Sequence, residues 1–196
     1  MVVIVLAAMA AQATTLMDAG AFDASRFFAY FTIQSNLIGV AAFVWLIATR
    51  GRSRDRRTEL LRGAAVVYLT VTFVVVIVLL SGIDVQLQLP WVDFVLHKLM
   101  PIVMVADWVI DPPMTRLALR DSLIWLVYPL VWIALTIIRG AADGWYPYPF
   151  LDPANGGYGH VAVMVLIVAG AFLVLAGTTI AVGDRLGRVS ARRRAA

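Results

Sequence analysis

The sequence holds no cysteine, a single lysine, a single glutamate and only two histidines in 196 residues. Without cysteine there is no disulfide, no thiolate nucleophile and no sulfur-ligated metal. Two histidines leave little room for any other metal site. Charged residues are only 14% of the chain, too few for the surface of a soluble domain of this size. Alternating polar and apolar runs, the mark of a membrane β-barrel, are missing as well. There is no glycine-rich phosphate loop and no Walker motif, so no cofactor is expected.

What remains is apolar. Hydrophobic residues make up 62% of the sequence and the mean hydropathy is +0.88. Several windows are nearly free of charge over the roughly 20 residues that a helix needs to cross a ~30 Å hydrocarbon layer. Backbone groups inside such a layer must satisfy one another, which a continuously apolar run does only as a helix. The expected fold is therefore all-α: a polytopic membrane helix bundle of about six transmembrane helices. The spans fall at residues 2–16, 27–48, 64–82, 91–110, 122–138 and 158–182. Residues 1–182 read as one bundle domain and 183–196 as a basic cytoplasmic tail whose terminal SARRRAA (190–196) is expected to be disordered. The first span is short, and its small-residue end also fits a signal-peptide cleavage site or a truncated helix.

The net charge of +4 does not point to nucleic acid, because the base is arginine confined to connectors. Residues 49–63, 111–121 and the tail from 183 hold thirteen of the fifteen arginines, all on one side of the predicted layer. The positive-inside rule makes that side cytoplasmic, with both termini there and the chain multi-pass in the inner membrane. The opposite connectors carry Asp18, Asp23, Asp84, Asp93, Asp143 and Asp152 against Arg26 and Arg139. Membrane lipids are the expected partners; oligomeric state is left open.

Polar side chains inside the spans are the informative ones. The second span bears Thr32, Gln34, Ser35 and Asn36 near its outer end. At 100° per residue Thr32, Ser35 and Asn36 share a face, whereas Gln34 points away. The fourth span bears His97 at a matching depth, with Asp93 and Pro101 one turn to either side. Ionisable groups within a membrane are costly and mark functional sites. An aspartate one turn from a histidine orients the ring and its tautomer. The connector after the fifth span, rich in proline, glycine and aromatics, reads as an ordered outer cap carrying Tyr146 and Tyr148, with Arg139 and His160 at its two ends. Two plainer readings stand beside this one. In the first, the hydroxyls and amides are helix glue, Thr32 bonding back to the carbonyl of Phe28. In the second, the same polar pocket belongs to a non-enzymatic transporter or ligand-binding protein, which needs a polar path reaching the inner half, near Asp107.

The segments FFAYFTIQSN (27–36), HKLMPIVMVADW (97–108), YPLVWIALTIIRG (128–140) and WYPYPFLDP (145–153) together resemble a bacterial family of six-span integral membrane proteins. That family is distantly similar to the androgen-induced and androgen-dependent membrane threonine hydrolases, which cleave fatty acid esters of hydroxy fatty acids. The wider resemblance rests on a threonine early in the second span and a histidine in the fourth. It implies a lipid-ester hydrolase in which Thr32 is the nucleophile and His97 its base. A threonine hydroxyl attacks poorly until an imidazole takes its proton. On this reading Ser35 or Asn36 donates to the oxyanion, and the acyl chain lies among Phe28, Met100 and Met104. Arg139, Tyr146, Tyr148 and His160 complete the candidate substrate-binding set.

Overall fold

The computed structural model describes residues 1–80 and 89–195, without side chains from 190 onward. Asp84 and the end of the third predicted span lie outside the described residues. Among the described residues every regular element is helical. They are α1 (Val2–Asp18), α2 (Ala24–Ala29), α3 (Phe31–Ala48), α4 (Arg56–Val78), α5 (Pro90–Phe94), α6 (Met100–Ile110), α7 (Ile124–Asp143) and α8 (Gly157–Ala195). A π-helical turn, Val95–Leu99, joins α5 to α6, and short 3₁₀ turns precede α7 and fill the connector before α8.

Four segments are long and apolar enough to cross a membrane: Phe31–Ala48, Arg56–Val78, Leu119–Asp143 and Gly157–Val189. α1 is a shorter apolar helix. The 90–110 segment has the length of a span but is interrupted by the π turn. Outward-facing side chains such as Ile110, Leu166 and Ile138 are exposed and apolar, as a lipid-facing surface requires.

α4 is the hub and packs against α3, α6 and α8. Its Asp55 cap accepts hydrogen bonds from the Thr58 N–H (2.9 Å) and the Thr58 hydroxyl (2.7 Å), filling orphan valences of the first turn. The backbone bond is the larger reason that the Asp55 carboxyl is held below the usual range. Close packing of α3 on α4 and α6 depends on Gly39. A Cβ there would lie 2.6 Å from Met100 Cε and 2.9 Å from Leu69 Cδ1.

Two boundaries differ from the sequence reading in ways that matter. The second predicted span is not one helix from 27, because Tyr30 adopts an extended conformation (φ −64°, ψ 128°) and separates α2 from α3. Thr32 is thus the second residue of a helix rather than a position five residues inside one. The expected disordered tail instead continues α8 as helix to Ala195.

Candidate functional site

The break at Tyr30 gives α3 a free N-terminus in the bundle. A helix start leaves its first amide protons without intrahelical acceptors. The chain on either side is pinned: Trp132 Nε1 donates to the Ala29 carbonyl at 2.9 Å, and Gln34 Nε2 donates to the Phe28 carbonyl at 2.7 Å. The other end of the Gln34 amide accepts from the Tyr128 hydroxyl. The carbonyl expected to take the Thr32 hydroxyl is thus occupied by Gln34. Phe31 is locked edge-on among Tyr68, Trp132 and Phe172, with ring centroids 5.2–5.9 Å away.

His97 reaches the same spot from the π turn. In that turn the Met100 N–H bonds to the Val95 carbonyl, one residue further back than in an α-helix. The Leu96 carbonyl, which would normally accept from Met100, is thereby released. Asn36 Nδ2 takes it at 3.0 Å and also donates to the Thr32 carbonyl at 2.9 Å. Pro101, which has no N–H, likewise leaves the His97 carbonyl without its helical donor. One amide side chain therefore ties the residue carrying the hydroxyl to the turn carrying the imidazole.

The resulting geometry is a relay. His97 Nε2 lies 3.2 Å from Thr32 Oγ1, and His97 Nδ1 lies 2.8 Å from Asp93 Oδ1. Lys98 Nζ holds the other carboxylate oxygen of Asp93 at 3.2 Å. Tyr148, lowered from the cap, places its hydroxyl 3.3 Å from Thr32 Oγ1 and accepts the Thr32 N–H at 3.3 Å. Donor and acceptor roles follow. The Asp93 carboxylate accepts from Nδ1–H, leaving Nε2 free to accept the threonine proton. Because the Tyr148 oxygen accepts the Thr32 N–H and the Thr32 hydroxyl donates to His97, the phenol O–H is left to donate to Oγ1. Thr32, His97 and Tyr148 are all buried.

Two cavities meet at this point, sharing Thr32, Tyr148 and Leu80. One, of about 290 Å³, is the more polar and is bounded by His97, Gln12, Asp23, Arg26, Tyr30 and Trp145. The other, of about 80 Å³, is a narrow apolar cleft between α4, α7 and α8, walled by Val75, Ile133, Val168 and Phe172. Leu130 at the cleft's margin is 53% exposed, so the cleft opens sideways onto the apolar outer surface.

The cap is built to hold Tyr148. α7 ends at Gly144 in the left-handed region (φ 72°), turning the chain back over the bundle. Tyr148 stacks on Phe150 (5.4 Å, 4° between planes) and meets Tyr30 edge-on at 5.8 Å. Tyr146 packs on Gly140, where a Cβ would lie 2.1 Å from its ring. Trp145 sits between the Arg26 and Arg139 guanidiniums, 5.4 and 5.1 Å from its ring centre. Arg139 also bonds to Asp143 and to the Ser25 carbonyl.

The remaining candidates are placed differently from expectation. Asn36 and Ser35 are fully buried and line neither cavity. Ser35 Oγ donates to the Thr32 carbonyl at 3.1 Å and meets Thr72 Oγ1 at 3.2 Å, so both residues brace α3 and neither faces an oxyanion. Met100 and Met104 are wholly enclosed in the core, because the face below His97 packs on α3 and α4 rather than on a cavity. Phe28 projects outward, 51% exposed, since the helix break turns it away from the site. Arg139, Tyr146 and His160 support the cap and line neither cavity. Gln12, Tyr30 and Trp145 were missed. For Gln12 the available signal was a lone amide in an apolar helix. Among the described residues no three His, Asp or Glu side chains are grouped to hold a metal ion. No family model, no curated protein and no solved structure matches the chain.

Proposed function

We propose that the protein is a membrane-embedded hydrolase of lipid esters, with Thr32 as nucleophile, His97 as general base and acid, and Asp93 as the carboxylate that orients the imidazole. The observation that carries this reading is the continuous relay from Asp93 through His97 to a buried threonine hydroxyl that opens on two cavities. A threonine bonded back to the Phe28 carbonyl would stay on its own helix and away from the histidine; here the two are 3.2 Å apart and Gln34 takes that carbonyl.

The steps follow from the atoms. His97 Nε2 takes the Thr32 proton as Oγ1 attacks the ester carbonyl carbon, forming a tetrahedral oxyanion. Collapse breaks the bond to the alcohol oxygen, which leaves with the proton from the imidazolium. Water, deprotonated by the same nitrogen, then attacks the acyl-threonine; the acyl carbon–Oγ1 bond breaks, the imidazolium returns its proton to Thr32 Oγ1, and the carboxylic acid is released. The apolar cleft suits the acyl chain, and its sideways opening suits a substrate dissolved in the bilayer. The larger, more polar cavity suits the alcohol half and the incoming water. Esters joining an apolar acyl chain to a more polar alcohol, including fatty acid esters of hydroxy fatty acids, fit this division.

In this reading six segments cross the inner membrane with both termini cytoplasmic, the interrupted 90–110 segment and α1 supplying the two spans beyond the four long apolar helices. Twenty-one residues of helix cover about 31 Å at 1.5 Å per residue, enough for the hydrocarbon layer. The arginine-rich connectors lie on the inner side and the relay in the outer half. The transport alternative needs a polar route to Asp107. That carboxylate is engaged by Arg62 at 2.7 Å, and neither cavity beside Thr32 is lined by it.

The test is hydrolysis of p-nitrophenyl octanoate by the purified full chain in detergent micelles. Thr32→Ala and His97→Ala are each expected to lower kcat/KM by at least about a thousandfold. A fluorophosphonate probe should label the parent at Thr32 and leave Thr32→Ala unmarked. Turnover by Thr32→Ala at the parental rate would overturn the reading.

A further inference from the structure

A hydrolase of this kind needs donors for the oxyanion, and the side chains nearest in sequence are already committed. Both protons that matter on Asn36 Nδ2 are held by the Thr32 and Leu96 carbonyls, and the Ser35 hydroxyl is held between the Thr32 carbonyl and Thr72. Two other donors converge on Thr32. One is its own N–H, at the second position of α3, where helix amides lack partners and the dipole favours negative charge. The other is the Tyr148 hydroxyl, 3.3 Å from both that nitrogen and Oγ1, on a ring that lines both cavities.

We infer that Tyr148 is a catalytic residue, its hydroxyl forming the oxyanion hole together with the Thr32 N–H. This rests on the reading of Thr32 and His97 as nucleophile and base. In the resting site the phenol O–H points at Oγ1. Once Oγ1 has bonded to the carbonyl carbon, the new oxyanion stands on that same carbon, and the phenol proton turns to it. The Thr32 N–H, released from the phenol oxygen, becomes the second donor. Contacts of 3.3 Å are long for such groups, and catalytic hydrogen bonds commonly tighten only when the reacting atoms arrive.

Two further features suit the role. Burial pushes the Tyr148 hydroxyl up to about 12, so it stays protonated and remains a donor at neutral pH. The ring is held by Phe150 and Tyr30. With the ring fixed, only the O–H has to turn as the oxyanion forms, which keeps the cost of reorganisation small.

Tyr148→Phe removes the hydroxyl and little else. With p-nitrophenyl octanoate, kcat is expected to fall about 100-fold with KM nearly unchanged. A long-chain trifluoromethyl ketone, which forms a tetrahedral oxyanion adduct on a nucleophilic hydroxyl, should lose affinity by a similar factor, while octanol binding stays as in the parent. A purely structural role would weaken both ligands together and lower the thermal midpoint. Should Tyr148→Phe fail to fold, 3-fluorotyrosine at position 148 keeps the hydroxyl and makes it a stronger donor, and ketone affinity should rise. Parental kcat and parental ketone affinity in Tyr148→Phe, or unchanged affinity with 3-fluorotyrosine, would overturn the assignment. It would fall alone if Thr32→Ala is still inactive; activity in Thr32→Ala would remove the hydrolase reading beneath it.

Discussion

The two polar clusters of the bundle are built on opposite plans. At one end of the bundle Arg62, 1% exposed, holds Glu59 at 2.7 Å and Asp107 at 2.7 Å, stacks over Trp108, and donates to the Asp111 carbonyl. Glu59 in turn forms an ion pair with Arg54 at 3.1 Å and accepts from the Met114 N–H, which fastens the 111–118 connector to α4. At the other end Thr32, His97 and Tyr148 meet at 3.2–3.3 Å, beside two cavities and across two interrupted helices. The Arg62 cluster pairs its charges at short range. The Thr32 cluster leaves its hydroxyls at long range next to open space. Short, saturated contacts hold a structure, whereas long contacts beside a cavity leave valences for an incoming group.

The sharpest way to break this comparison is at Arg62. Arg62→Met leaves the Asp107 carboxylate without its cation and Glu59 with Arg54 alone, and unfolding should be easier by about 3–5 kcal/mol. Denaturant titration in micelles measures the loss. Hydrolysis per folded molecule should stay at the parental level, because no group near Thr32 has changed. A smaller effect of opposite character is expected at Asp93. Asp93→Asn keeps the shape but no longer favours the Nδ1–H tautomer, and kcat should fall at least about 100-fold. Since the Asp93 carboxylate is partly exposed and Lys98 can reach solvent, the thermal midpoint should hardly move. A matching loss of midpoint and kcat would place Asp93 with the structural cluster around Arg62.

Much of this contrast was legible in the residues, and the reasons for the rest are physical. Matched depth along two spans was enough to bring Thr32 toward His97, although it was counted from a helix start that the break at Tyr30 removes. Asp93 followed from its one-turn spacing. The break at Tyr30 was hidden, since Phe-Phe-Ala-Tyr-Phe contains neither proline nor glycine. It is imposed by tertiary contacts, Trp132 on the Ala29 carbonyl and the aromatic ring set around Phe31. The π turn was hidden too; Pro101 marked a weakened hydrogen-bond ladder but not the direction in which it would open. Tyr148 stood in the candidate set as a cap aromatic, yet its aim at Thr32 depends on a fold-back of 116 residues. The misplaced Met100 and Met104 have a related cause: a face that is apolar throughout cannot tell a core from a cavity wall.

The smallest expected effect is at Ser35, and it separates bracing from catalysis within one turn of α3. Its hydroxyl shares a face with Thr32 and is fully buried, so from phase alone it competes with Tyr148 as the oxyanion donor. Its bonds, however, run to the Thr32 carbonyl and to Thr72 on α4, away from both cavities. A hydrogen bond between apolar helices of this kind contributes about 0.6 kcal/mol. Thr72 keeps its own bond to the Tyr68 carbonyl at 3.0 Å when Ser35 is removed, so no hydroxyl is stranded. Ser35→Ala should therefore lower stability by about that amount in the same denaturant titration, with kcat and trifluoromethyl ketone affinity close to parental. A loss of kcat comparable to that of Tyr148→Phe would instead move the oxyanion donor from the cap to α3, since the methyl left behind differs from serine only in the hydroxyl.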